Sequence, residues 1–142
     1  MPPQQGPHEE DHFYILLAED SAANQALLLA FLKNMPCHLD IVDNGEMAVE
    51  KFKKGRYDLV LMDVVMPIMD GYRATALLRE WEAEKGLKRT PIIAFTAHDR
   101  EEDKQRSIAS GCDGHLTKPI RKQTLLETVT KYRGRVTDDA KE

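Results

Sequence analysis

Apolar runs alternate with amphipathic stretches five times between residues 13 and 132. Most of the short runs are continuously apolar, which is typical of strands buried on both faces, while the second alternates in polarity. The pattern predicts strands at 13–18, 38–42, 59–62, 91–96 and 114–117.

The stretches between these strands show helical periodicity and helix-ending residues. Ser21 is a good N-cap for the first helix, and Pro36 ends that helix. Gly55, Gly86 and Gly111 follow the next three helices. The first helix is expected to bury a side that includes Ala23, Leu27, Leu28, Phe31 and Leu32. The third, 71–84, has a buried stripe of Ala74, Leu77, Leu78 and Trp81. The fourth, 99–110, has few apolar positions, and the last is expected over 121–132.

Five β–α units with buried strands predict a parallel sheet with helices on both faces. Right-handed crossovers leave few topologies for such a chain. The expected fold class is α/β: a doubly wound five-stranded parallel sheet in a three-layer α/β/α sandwich, with the flavodoxin-like strand order 2-1-3-4-5.

The two ends of the chain are polar. Residues 1–12 are rich in Pro, Gln and charge, and they are interpreted as a disordered arm or linker before a domain at 13–132. Residues 133–142 are interpreted as a polar C-terminal tail. The H-E-x-x-H match at 8–12 lacks the apolar helical positions of a zinc-protease helix, so we reject that interpretation.

Composition excludes several classes of function. A net charge of −4 with scattered Lys and Arg gives no basic stripe for nucleic acid. No run approaches the roughly 20 apolar residues of a membrane span, so no membrane insertion is expected. The opening residues lack the apolar region of a secretory signal, and the two cysteines form no framework. A cytoplasmic location is therefore expected.

Polar residues follow or end four of the predicted strands. Glu19 and Asp20 follow the first strand, Asp63 ends the third, Thr96 ends the fourth and Lys118 follows the fifth. In a doubly wound sheet the carboxyl ends of the strands meet at one edge, where ligands bind. We therefore expect these five side chains to lie together.

Three carboxylates at one edge repel one another. At about 4 Å and an effective dielectric near 20, each like-charged pair costs about 4 kcal/mol. A divalent cation offsets this cost, and a site made only of oxygen ligands suits Mg²⁺. A cation beside Lys118 and the Thr96 hydroxyl would also prepare the site for a phosphoryl group.

Four sequence motifs resemble the response-regulator receiver (CheY-like) family. They are L-A-E-D at 17–20, L-M-D-V-V-M-P-I-M-D-G at 61–71, F-T-A at 95–97 and T-K-P at 117–119. They occur in family order and on the expected elements. The segment E-D-S-A-A-N-Q at 19–25, with T-A-H at 96–98, is more like receivers of hybrid sensor histidine kinases.

The resemblance implies a role for each of these residues. Asp63 would accept a phosphoryl group from a histidine kinase or a histidine phosphotransfer protein, beside Mg²⁺ or Mn²⁺. Asp20 would bind the metal directly, Glu19 largely through water, and the Val65 carbonyl would complete the metal site. Thr96 and Lys118 would contact the phosphoryl group. The family also implies a cis bond before Pro119.

Three positions near the expected site bear on how this chain would be regulated relative to other receivers. His115 stands where many members carry Tyr or Phe as the switch partner of Thr96. Val65 brings no acid or amide to orient a hydrolytic water, which indicates slow dephosphorylation unless His98 compensates. We expect the signal to be read by a downstream partner, or by a homodimer, through the face formed by 99–132.

Other classes of function remain alternatives. An aspartyl-phosphate phosphatase or dehalogenase also uses a strand-end Asp, but many carry a second Asp where this chain has Val65. A flavodoxin-like cofactor binder would place a phosphate against Glu19 and Asp20, which would repel it. A pseudo-receiver would only bind partners. A stand-alone receiver and a domain of a hybrid kinase look alike in this sequence.

Overall fold

The computed structural model describes residues 13–141, with side chains described up to Gly134. Its strands are β1 (Phe13–Ala18), β2 (Cys37–Val42), β3 (Leu59–Asp63), β4 (Ile92–Thr96) and β5 (Gly114–Thr117). Its helices are α1 (Ala22–Leu32), α2 (Gly45–Lys54), α3 (Gly71–Lys85), α4 (Glu101–Ser110) and α5 (Lys122–Lys141). The arm predicted at 1–12, including its H-E-x-x-H match, lies outside the described residues.

All strand pairs are parallel, and the strand order is β2-β1-β3-β4-β5. Alternate residues of each strand point to opposite faces of the sheet. One face packs against α1 and α5, and the other packs against α2 and α3, with α4 beside α3. The predicted doubly wound sandwich and its strand order are confirmed.

Every residue of β1, β3 and β4 is buried, which explains why these strands are continuously apolar. Each predicted strand lies within one residue of the observed one. Ser21 caps α1 by accepting a hydrogen bond from the Asn24 N–H at 3.3 Å, as expected. Asp70 caps α3 in the same way, through the Arg73 N–H at 2.8 Å.

The expected buried side of α1 was partly wrong. Leu28 and Leu32 are buried, whereas Leu27 is 45% exposed and Ala23 is exposed. The helix is apolar around most of its circumference, so its sequence pattern could not say which side meets the sheet.

The end predicted for the last helix was also wrong. The backbone of α5 is helical as far as Lys141 instead of ending near Tyr132. No proline follows Pro119 in the sequence, and the single glycine, Gly134, costs only about 1 kcal/mol within a helix. The segment predicted as a polar tail is therefore polar but largely helical.

The loop after β3 is held close to the strand that precedes it. The Gly71 N–H donates to the Val64 carbonyl at 2.8 Å, and a Cβ at Gly71 would collide with the Asp63 carbonyl. Only glycine permits this approach. The turn thus brings the N-terminus of α3 back beside Asp63.

Within the described residues, no helix is long and apolar enough to cross a bilayer. Helix α4 is the helix with the fewest buried residues: Ser107 is its only one, and Ile108 is 67% exposed. An element with so few buried contacts is expected to open more readily than its neighbours.

Candidate functional site

Three carboxylates meet at the carboxyl edge of the sheet, as the topology predicted. Glu19 and Asp20 follow β1 and Asp63 ends β3, and their oxygens lie within 4.8 Å of one another. Glu19 and Asp63 are buried, whereas Asp20 is exposed. The pocket therefore opens to solvent beside Asp20.

Lys118 reaches into this group from the loop after β5. Its Nζ donates a hydrogen bond to Asp63 Oδ2 at 2.8 Å and lies 3.3 Å from Glu19 Oε1. Desolvation pulls the pKa of Lys118 down, but the hydrogen bond and the charges of Asp63 and Glu19 outweigh it and raise that pKa. Lys118 is therefore a permanent cation at this site. The Lys118–Pro119 bond is cis, as the resemblance implied.

The Asp63 carboxyl has a raised pKa. The first cause is burial, and the charge of Glu19 adds to it. Lys118 and the backbone N–H of Val65 act in the opposite direction through hydrogen bonds to the carboxylate. Burial thus removes water from the carboxylate, while the two donors hold it in a fixed position.

The carboxylate of Glu19 provides a test of whether a hydrated cation fits. Its Oε2 accepts a hydrogen bond from the Ser21 N–H at 3.0 Å. Its Oε1 is buried without a hydrogen-bond partner, and the Lys118 ammonium, 3.3 Å away, pairs with its charge. A buried acceptor lacking a donor costs about 1–3 kcal/mol. A metal-bound water would supply that donor, so the residues present fit Mg²⁺ with its water shell.

The hydroxyl of Thr96 is engaged away from the carboxylates. Thr96 ends β4 and is buried, and its Oγ1 donates to the His98 carbonyl at 2.9 Å. The side chains of His98 and Val65 are exposed at the rim of the pocket. Thr96 must break its bond to His98 before it can donate to a group on Asp63.

His115 is held on the outer side of β5. Its Nε2 lies 3.0 Å from Asp99 Oδ1, in the loop before α4, and Lys104 Nζ lies 3.7 Å from the same oxygen. The hydrogen bond from His115 and the charge of Lys104 lower the pKa of Asp99. Asp99 is thus a stable anion that ties the predicted switch residue to the loop after β4.

Sequence reasoning missed two residues that shape this edge. Asp99 was assigned to the start of a helix, and Gln25 was noted only as part of a motif. Gln25 joins the loop after β1 to the loop after β2. No local pattern marks the pairing of Gln25 with Asp43 or of Asp99 with His115, because these residues lie 18 and 16 positions apart along the chain.

The amino-acid sequence also matches a known protein-family model. Residues 15–130 match the model of the response regulator receiver domain. The chain belongs to this family. Receiver domains belong to two-component signalling, so the recognition made from the four motifs is confirmed.

Curated relatives of this receiver domain are much longer proteins. It is 41% identical over 120 residues to the sensor protein GacS of Pseudomonas syringae. That match covers 84% of this chain and 13% of GacS. The matched region thus spans about an eighth of the length of GacS.

Solved structures include receiver domains seen with a partner and with a metal. One is the receiver domain of yeast Ssk1, from Saccharomyces cerevisiae, in a complex with the histidine phosphotransfer protein Ypd1. It has a TM-score of 0.86 and 29% identity, covering 89% of this chain and 92% of that one. Another is the receiver domain of the sensor histidine kinase PA1611 from Pseudomonas aeruginosa, with magnesium in its active-site cleft. Its TM-score is 0.76 at 33% identity, covering 87% of this chain and 98% of that one.

Proposed function

We propose that this receiver domain accepts a phosphoryl group from a phosphohistidine onto Asp63 in the presence of Mg²⁺. The observation that carries the proposal is the position of Asp63, which is buried among Glu19, Asp20 and Lys118 and hydrogen-bonded to Lys118. The test is phosphorylation of the wild type and of Asp63→Asn by acetyl phosphate in Mg²⁺.

In the proposed transfer, an Asp63 carboxylate oxygen forms a bond to phosphorus while the phosphorus–nitrogen bond of phosphohistidine breaks. The bonding electrons leave with the imidazole, which takes up a proton from solvent. Lys118 stabilises negative charge on the equatorial phosphoryl oxygens, and Thr96 donates to one of them once it leaves His98. Asp20, Asp63 and the Val65 carbonyl, with Glu19 acting through water, would hold Mg²⁺ or Mn²⁺, which would supply charge neutralisation at the phosphoryl oxygens.

The chain would act as a phosphoacceptor that promotes its own phosphorylation, and its dephosphorylation would be slow. Hydrolysis needs a group that orients water in line with the aspartyl phosphate. Val65 has no such group and is 74% exposed. The exposed imidazole of His98 is the candidate for that role.

We propose that the donor binds beside the pocket on α1. A groove of about 350 Å³ is lined by Leu27, Leu28 and Ile120, and it reaches Glu19 and Lys118. In-line transfer brings the donor histidine to Asp63, so the surface that adjoins the pocket must be covered by the donor. The complex of Ypd1 with the Ssk1 receiver supports a histidine phosphotransfer protein as this partner.

Leu27→Asp should slow transfer from protein donors at least about tenfold, because it places a charge in the apolar groove. Its phosphorylation by acetyl phosphate, which needs no docking, should stay unchanged. Rates would be measured with a panel of phosphorylated histidine phosphotransfer proteins, Ypd1 among them. Leu87→Asp is the matched control, since Leu87 is 49% exposed at the far end of α3. Equal rates for both variants would contradict docking on α1.

We propose that phosphorylation is read out on the face formed by residues 99–132. A phosphoryl group on Asp63 would draw the Thr96 hydroxyl from the His98 carbonyl by a charge-assisted hydrogen bond. The space that it leaves would admit His115, which must first part from Asp99. Because α4 has few buried anchors, it would shift with them and present a changed surface to a partner or a second copy.

Acidification should favour the inactive arrangement. Protonated His115 forms an ion pair with Asp99, whose lowered pKa keeps it an anion through the histidine range. Turning inward would also bury the imidazole, which disfavours its charged form. With beryllofluoride bound, the fraction of active conformer seen by NMR should therefore fall as pH falls from about 8 to about 5.5.

His115→Tyr should lose most of this pH dependence. His38→Gln is the control, since His38 pairs with Asp40 on β2, away from the pocket. Unchanged pH dependence in His115→Tyr would defeat the histidine component. Shift changes confined to the Asp63 pocket, with none in 99–132, would defeat the switch itself.

The proposed setting is the cytoplasm, with the domain over 13–132. The thiols of Cys37 and Cys112 are free, which is the usual state in a reducing compartment.

A further inference from the structure

We propose that Gln25 is a positioning residue for the metal site: through its side-chain amide it holds the Glu19–Asp20 peptide and thereby places Asp20. The proposal rests on the function proposed above, because it concerns how the same acidic pocket binds Mg²⁺.

Two hydrogen bonds define the position of the Gln25 amide. Its Nε2 donates to the Glu19 carbonyl at 2.6 Å and to Asp43 Oδ1 at 2.9 Å. A carbonyl and a carboxylate only accept hydrogen bonds, so the group between them must be the NH₂ of the amide. Both of its protons are used, one on each loop.

The Glu19 backbone is consequently held at both of its polar groups. Its N–H donates to the Val42 carbonyl at 3.0 Å, and its carbonyl receives the Gln25 amide. The Glu19 carbonyl belongs to the same planar peptide unit as the Asp20 N–H. Fixing the direction of that carbonyl therefore fixes the direction in which the chain enters Asp20.

Asp20 depends on this backbone support more than the other two carboxylates do. Glu19 is held by Ser21 and Asp63 by Lys118, whereas no described residue forms a hydrogen bond or ion pair with the Asp20 side chain, which is exposed. A ligand without side-chain partners keeps its place only if its backbone is fixed. Groups that orient a ligand in this way are typically worth 10–100-fold in metal affinity.

The second hydrogen bond of the Gln25 amide reaches the loop that follows a different strand. Asp43 follows β2, so the amide links the loops after β1 and β2 at the edge where the metal would bind. Gln25 itself stands in α1, whose N-cap, Ser21, also supports Glu19. One helix turn thus supports both the buried and the exposed acid of the β1 loop.

The experiment uses Mg²⁺ alone as the probe. Its dissociation constant would be measured by NMR titration of backbone amides in the wild type, Gln25→Met and Asp43→Asn, with thermal midpoints taken in EDTA. Gln25→Met keeps the length of the side chain and removes its donors, so it should weaken Mg²⁺ binding about tenfold. Asp43→Asn keeps an accepting oxygen and should weaken binding only about twofold, through its lost charge.

Gln105→Met is the matched control, since Gln105 donates to Glu101 on the exposed side of α4. It should leave Mg²⁺ affinity unchanged. If Gln25→Met lowers the thermal midpoint but binds Mg²⁺ as the wild type does, Gln25 has only a structural role. The positioning role then fails, while the proposed metal site stands. If Mg²⁺ does not shift the amides of residues 19, 20 and 63 in the wild type, the proposed metal site fails as well.

Discussion

Asp63→Asn should lose phosphorylation by at least about a thousandfold, as expected when the nucleophile of a reaction is removed. An amide offers no anionic oxygen to attack phosphorus. No other carboxylate of the pocket is equivalent: Glu19 is 1% exposed with one oxygen held by Ser21, and Asp20 is not hydrogen-bonded to Lys118. Acetyl phosphate with Mg²⁺ would be the donor, and incorporation would be followed by intact mass.

Asp70→Asn is the control for this result. Asp70 lies in the same loop, but it caps α3, and asparagine caps helices equally well. It should be phosphorylated like the wild type. Strong labelling of Asp63→Asn that is released by hydroxylamine would show that another carboxylate is the acceptor, and it would overturn the assignment.

Removing the divalent metal should have the second largest effect. In excess EDTA, phosphorylation should fall at least about a hundredfold, because repulsion among three carboxylates then opposes an incoming phosphoryl group. Asp20→Asn should weaken Mg²⁺ binding more than Glu19→Gln does. Asp20 is the exposed acid at the pocket mouth, while Glu19 is buried and would act through a metal-bound water.

Glu102→Gln, on α4, removes one negative charge away from the pocket and controls for the change in net charge. Magnesium affinities would be obtained by calorimetry or NMR titration. Equal or reversed effects of Asp20→Asn and Glu19→Gln would show that the two roles are exchanged. Full phosphorylation in EDTA would remove the metal from the mechanism.

The doubly wound parallel sheet and the acidic edge were predictable because both depend on short-range patterns and a general topological rule. β1, β3 and β4 are continuously apolar since they are covered on both faces. Once the sheet is parallel, Glu19 and Asp63 must end at the same edge. The cap of α1 at Ser21 depends on a neighbour three residues away, so it was also predictable.

The buried face of a helix and the position of its end were less predictable where the local sequence allowed more than one possibility. Helix α1 has apolar residues on several sides, and only packing against α5 and the sheet decides that Leu28 is buried and Leu27 is exposed. The end of α5 was misplaced because a polar segment was interpreted as a tail beyond the last helix, although a polar helix without proline can continue when its first turns are anchored by Leu125 and Val129.

By itself, the sequence determined the class of sheet, the edge at which the chemistry lies and the residue types gathered there. Only the tertiary structure decided how those residues are supported. The Gln25 amide lies between Glu19 and Asp43, the Thr96 hydroxyl is bound to the His98 carbonyl, and His115 is paired with Asp99. The contacts of Gln25 with Asp43 and of His115 with Asp99 join side chains to groups on other loops, so they depend on the packing of the whole domain rather than on any local pattern.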